Sequence, residues 1–378
     1  MSIKTLSKKM LAIVVAGAMT MGLAMSTSVF ATGGDTATKT TEAYISKTFN
    51  TEVGKNETFS FKATPVSGNT ENVTIPDIRF SDTETETKTK RTKVLFPTSW
   101  KDAGKYEYTV TETAATPAIT DEKHQKMIMS HAEYTMDVYV TNGDNGLGIS
   151  NIIVNKTKDD KGTETTGKVD ISNTDKNGFK FTNTYVQEAG TGTDPVNPGP
   201  DYTKYGSLDV SKIIKTDAAD TADTNKGFDF TATFTFPAGT NAATLGAKAT
   251  IDGIATDITG TSHTFKLKHN QNVKFTGLPV GTKISVTESA TPNYKGSADV
   301  VINNGTKETV TAAKYDEALT VSGKSLGQKK NTVDVTNTYN YVPTTGIIMN
   351  TLPYVLMIAL CGAALMAFVA FKRRRLQK

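Results

Sequence analysis

Hydrophobic residues fall at every second position through most of the chain, the signature of strands with one face turned to a core. Runs of this kind include Phe59-Phe61, Tyr106-Tyr108-Val110, Tyr134-Met136-Val138-Val140, Phe228-Phe230-Ala232-Phe234-Phe236 and Ile284-Val286. Turn pairs such as Asn142-Gly143 and Asn304-Gly305 separate them. Helix signals are sparse. The pattern predicts an all-β protein of antiparallel sandwiches. Two stretches break it with continuous apolar runs. One follows Lys4, Lys8 and Lys9 and ends near Val29-Phe30-Ala31, a secretory signal over residues 1–31 with cleavage expected after Ala31. The other, 352–371, is uncharged, long enough to cross a bilayer, and is followed by a basic tail at 372–378. Everything before that run is therefore expected outside the cell.

Residues 187–203, QEAGTGTDPVNPGPDYT, concentrate Gly and Pro and read as a semi-rigid interdomain linker. It leaves one domain at 40–186 and another at 204–341, each the size of a single sandwich of immunoglobulin-like type. The Thr-rich charged stretch Ser81–Lys93 reads as an exposed loop or edge. The two domains echo each other at three strands. Each opens alike, Tyr44-Ile45-Ser46-Lys47-Thr48 and Leu208-Asp209-Val210-Ser211-Lys212-Ile213. Each has an interior strand ending in Glu, at Glu112 and Glu288. Each closes alike, Phe181-Thr182-Asn183-Thr184-Tyr185 and Val335-Thr336-Asn337-Thr338-Tyr339.

Residues two apart on a strand share a face. Lys47 then sides with Ile45 and Phe49, Glu112 with Tyr108 and Val110, and Asn183 with Phe179 and Phe181. Lys212, Glu288 and Asn337 do the same in the second domain; Lys215, the competitor of Lys212, has the opposite parity. One Lys, one Glu and one Asn thus face each core. A buried Lys–Glu salt bridge, or strand ends that reach water, would account for them structurally. The chemical alternative is a reaction. Burial lowers a Lys pKa and raises a Glu pKa. A neutral amine held against an amide could then attack it. A protonated Glu that donates to the Asn carbonyl would polarise it. The reaction expels ammonia and leaves an uncharged Lys–Asn amide.

Charge and cysteine narrow the class. Processing at both ends would remove eight of the 42 basic residues and none of the 38 acidic ones, leaving a net charge of −4. No nucleic-acid footprint survives. The single cysteine, Cys361, lies in the apolar run, so an exported protein is left without disulfides and would need another cross-link. His124, His131, His263 and His269 are scattered without metal-ligand spacing and read as surface residues; no cofactor or metal is expected, and no enzyme beyond single-turnover self-cross-linking. Trp100 reads as a packed strand-edge residue.

The order of Val342-Pro343-Thr344-Thr345-Gly346, apolar run and basic tail resembles the cell-wall sorting signal of Gram-positive surface proteins, residues 342–378 here. The resemblance implies that a sortase cuts between Thr345 and Gly346, and Pro343 should leave the motif extended. Val342 in place of the commoner Leu is typical of pilin-type substrates. With its two domains the chain resembles the backbone pilins of Gram-positive bacteria, whose immunoglobulin-like domains carry self-forming isopeptide bonds. That resemblance pairs Lys47 with Asn183, promoted by Glu112, and Lys212 with Asn337, promoted by Glu288. It also implies an acceptor Lys for the Thr345 acyl group. Lys176 in Thr174-Asp175-Lys176-Asn177-Gly178 is the candidate, with Lys180 as rival and Lys168 and Lys156 further off. The expected partners are sortase, further copies of the chain in a head-to-tail filament, peptidoglycan, accessory pilins and a host surface. A single-copy wall-anchored adhesin with the same domains is the alternative.

Overall fold

The computed structural model describes residues 40–66, 68–113, 122–174, 176–216, 222–340 and 345–376. The signal segment with Ala31, and Val342, Pro343 and Thr344, lie outside the described residues. The first domain holds β1 (Tyr44–Thr51), β2 (Glu57–Phe59), β3 (Phe61–Pro65), β4 (Ile78–Phe80), β5 (Glu86–Lys93), β6 (Gly104–Glu112), β7 (Gln125–Ile128), β8 (Glu133–Gly143), β9 (Gly146–Lys158), β10 (Glu164–Val169) and β11 (Phe179–Gln187). After α1 (Pro200–Tyr205), the second holds β12 (Leu208–Thr216), β13 (Phe228–Thr235), β14 (Lys248–Ile251), β15 (Ile254–Asp257), β16 (Ser262–Leu267), β17 (Asn272–Thr276), β18 (Lys283–Glu288), β19 (Tyr294–Val301), β20 (Glu308–Thr311), β21 (Leu319–Ser325) and β22 (Thr332–Tyr339). The chain closes on α2 (Thr345–Leu376).

Each domain is a sandwich of two main sheets, and in the first β2 and β4 form a separate two-stranded antiparallel pair. Sheet β5-β1-β11-β7 faces β10-β9-β8-β6-β3 in the first, and β15-β14-β17-β12-β22-β19-β20 faces β16-β13-β18-β21 in the second. Alternation carries the packing, as in β8, where Tyr134, Met136, Val138 and Val140 are all buried. Rings cross between the layers: Tyr134 meets Phe179 and Phe181 edge-on at 5.3 and 5.4 Å. Trp100 is buried against Phe96 and Tyr106, and β5 is the exposed edge expected of Ser81–Lys93.

One expectation changes. The sandwiches are not wholly antiparallel, because the first and last strands of each domain are parallel neighbours. Lys47 stands opposite Phe181, and Lys212 opposite Val335. A parallel pair needs a long crossover, and here the rest of the domain is that crossover.

The linker expectation also changes. Residues 187–192 are not a solvated spacer. Gln187, Glu188, Ala189 and Thr191 are buried, and the backbone of 187–192 bonds to Leu278, Val280, Gly327 and Gln328 of the second domain. Buried Glu188 accepts from Tyr202 and Ser207 at 2.7 Å each and from the backbone N–H of Gly277, and it pairs with His124 Nδ1 at 2.6 Å. His124 is therefore buried and paired rather than a surface residue; the carboxylate draws it in. Gly190 makes the close approach possible: its φ is +80°, and a Cβ there would sit 2.2 Å from the Gly206 carbonyl oxygen.

Helix α2 contains one segment, Tyr354–Lys372, long and apolar enough to span a membrane. It begins at Thr345, so Thr345 and Gly346 lie in its first turn rather than in an extended peptide. Pro is tolerated just before a helix, and the apolar run propagates the helix back toward it.

Candidate functional site

In the first domain β1 delivers Lys47, β6 delivers Glu112 across the sandwich, and β11 delivers Asn183. The side chains of Lys47 and Glu112 have no solvent exposure, and Asn183 is equally buried. Lys47 Nζ donates to Glu112 Oε2 at 2.6 Å, and Asn183 Nδ2 donates to Glu112 Oε1 at 2.6 Å. One carboxyl thus holds the amine and the amide, one on each oxygen. The Phe59 ring lies over the amine, its centroid 4.2 Å from Nζ.

The second domain repeats the arrangement. Lys212 Nζ and Asn337 Nδ2 each donate to Glu288 Oε1 at 2.7 Å, and Phe228 covers the amine at 4.2 Å. Lys215 is exposed at the end of β12 and takes no part, as its parity requires. Gly296 stands opposite Asn337, where a Cβ would lie 3.2 Å from Oδ1 and 3.0 Å from Leu319 Cβ, so the glycine keeps room for the amide.

Burial sets the electrostatics. It pulls Lys47 down to about 8 against the opposing pull of Glu112, and Lys212 down to about 8 against Glu288. It pushes Glu112 and Glu288 upward against the same partners. Both shifts favour the neutral amine and the neutral acid, the pair that can react. Among the described residues no cluster of His, Cys, Asp or Glu could hold a metal.

The structure departs from the sequence reading in one detail. The Asn183 carbonyl does not face Glu112; Oδ1 accepts the backbone N–H of Ser130 at 2.7 Å, and the amide nitrogen turns to the carboxyl. Sequence reasoning missed Ser130, because a backbone donor carries no residue signature. It also missed Phe59 and Phe228 as covers: alternation puts them on a core face without saying what they lie over.

The two leading acceptor candidates lie near each other. Lys176 is exposed in the turn before β11, and Lys180 is exposed on β11 itself. The turn is held by Asn177 Nδ2 donating to Ser172 at 2.6 Å and by Gly178 (φ +119°), whose missing Cβ lets the chain pass Tyr44. Because β1 and β11 are parallel, this turn sits where β1 begins, at the end of the domain away from Gln187. Lys156 on β9 stands opposite Gly167, and Lys168 on β10 opposite Asn155, in the other sheet.

A model of the Spy0128-like isopeptide containing domain matches residues 37–186, and a model of a domain of unknown function matches residues 206–339. No curated protein matches the chain. Among solved structures, the chain is similar to the major pilin from Streptococcus pyogenes at 19% identity, over 79% of this chain and 99% of that one, with a TM-score of 0.33. The major pilin T3.2 from Streptococcus pyogenes serotype GAS13637 matches at 20% identity over 80% and 99%, with a TM-score of 0.32. The pilus-presented adhesin Spy0125 (Cpa) matches at 14% identity over 55% and 35%, with a TM-score of 0.25. At these TM-scores the likenesses carry no argument about function. Residues 37–186 form a domain of the Spy0128-like isopeptide-containing family.

Proposed function

We propose that the chain is a structural subunit of a covalently polymerised cell-surface pilus, in which each sandwich closes its own Lys–Asn isopeptide bond. The observation that carries this reading is the one carboxyl bound to both a buried amine and a buried amide, built once in each domain on the first strand, an interior strand and the last strand. In the first domain, neutral Lys47 attacks Cγ of Asn183. Its departing proton passes to Glu112 Oε2, while Oε1 of the protonated carboxyl gives its proton to Nδ2. The new C–N bond forms, the old one breaks, and ammonia leaves; Glu112 ends as it began. In the second domain amine and amide share Glu288 Oε1: neutral Lys212 attacks Cγ of Asn337, the proton it loses passes to the Glu288 carboxyl, the carboxyl's own proton passes to Nδ2, and ammonia again leaves. Burial of reactants already in contact supplies the effective molarity.

In the same reading α2 tethers the exported chain until sortase transfers the Thr345 acyl group. The acceptor is Lys176 of the next subunit, or peptidoglycan at the base. Intact mass of the chain made without sortase tests the cross-links. It should fall short of the calculated value by two ammonia molecules, and Glu112→Ala and Glu288→Ala should each restore one. The full calculated mass would leave the Lys–Glu pairs as salt bridges and overturn the reading.

A further inference from the structure

The two triads differ in two respects, the partner of the Asn carbonyl and the use of the second carboxyl oxygen. Asn183 Oδ1 accepts the Ser130 N–H, whereas Asn337 Oδ1 and the second oxygen of Glu288 are buried without a hydrogen-bond partner. Attack on Cγ converts Oδ1 into an oxyanion, so a donor already aimed at Oδ1 stabilises charge that develops only in the transition state. The Ser130 segment is held for this. Its Oγ donates to Asp160 Oδ1 at 2.5 Å and accepts from the Ala132 N–H at 3.2 Å, while the same Asp160 oxygen accepts from Thr182 N–H, next to Asn183. The donor and the amide are thus referenced to one carboxylate.

We propose that the backbone N–H of Ser130 is the oxyanion donor of the first domain's cross-linking reaction, that the second domain lacks its counterpart, and that the first bond therefore closes well before the second. This rests on the isopeptide reading above. With Oδ1 engaged by Ser130, Glu112 is free to act on the entering and leaving nitrogens, and no single group has to serve both the carbonyl and the proton transfer. Deleting one such donor costs about 100- to 1,000-fold in rate in acyl-transfer enzymes.

The test is a time course on the full-length chain made by cell-free translation in detergent, digested at intervals and scored for each cross-linked peptide pair by mass. In the unmodified chain the Lys47–Asn183 pair should accumulate about 100-fold faster than Lys212–Asn337. Ser130→Ala keeps the N–H. Replacing that alanine by its α-hydroxy acid analogue changes only N–H to ester oxygen. The ester should slow the first bond by about 100-fold relative to Ser130→Ala and leave the second unchanged. Fluorescence of Trp100, the only tryptophan of the chain and buried in the first domain, reports whether that domain has folded. If the ester distorts it, the comparison of the two domains in the unmodified chain decides alone. Equal rates in the two domains, or an ester as fast as the amide, overturn the proposal while leaving the cross-links intact. Absence of both bonds in the unmodified chain overturns the isopeptide reading as well.

Discussion

At Lys47 two effects oppose each other. Burial disfavours the ammonium, Glu112 favours it, and burial wins far enough to bring the group down to about 8. The reactive state carries one proton shared between amine and carboxyl, and it is isoelectronic in proton count with the ion pair. Raising the pH through about 8 strips that proton and leaves an ionised Glu112 with no proton for the departing nitrogen. Lowering it far enough protonates both groups and removes the nucleophile. The rate of Lys47–Asn183 closure should therefore trace a bell whose alkaline limb falls through about pH 8; a rate that kept climbing with pH would mean that Glu112 is not the acid. The same residues show how far sequence goes at this scale. The parity of Lys47, Glu112 and Asn183 on their strands is fixed by covalent spacing, so their core facing was legible. The rotamer of the Asn183 amide was not, since it depends on Ser130 and Glu112, distant in sequence on either side of the carbonyl and the nitrogen.

Among the elements, the parallel pairing of β1 with β11 decides what a cross-link does. A bond between them joins the first strand of the domain to the last, closing a loop that contains nearly all of the sandwich. By analogy with disulfides closing loops of about 100 residues, such a link should add about 4–5 kcal/mol by restricting the unfolded chain. Asn183→Ala, which cannot form the bond, should lose about that much in urea unfolding. A loss under about 1 kcal/mol, the scale of one net hydrogen bond, would mean that the link contributes little beyond the amide it consumes. Repetition of three strand motifs in the sequence announced that both domains share this plan. That their terminal strands would lie side by side and parallel could not be read from alternation, which has no direction.

Across the molecule, the parallel registers give the chain a polarity. The turn with Lys176 lies at the start of β1, away from the joint built on Glu188, and β22 runs to Tyr339 at the end of the second domain away from that joint. If, as proposed, Lys176 is the acceptor amine and the acyl donor follows β22, subunits can be joined head to tail without closing a ring. Lys176→Arg should abolish the ladder of covalent oligomers formed when the chain meets its sortase, while both internal cross-links persist in the monomer. An unchanged ladder would pass the role to Lys180, exposed near the same end.

Sequence by itself determined the strands, the repeated strand motifs, the core-facing Lys, Glu and Asn, and the apolar segment near the C-terminus. Each of these follows from local chemistry: side-chain alternation, repeated strand motifs, and the length of an uncharged run. Tertiary structure decided what local chemistry leaves free. It set the direction of paired strands and turned 187–192 from a spacer into a buried joint, because Glu188 finds its donors on both domains and on α1. It also gave one Asn carbonyl a backbone donor and left the other without a partner, a difference made by where a distant turn happens to aim an N–H.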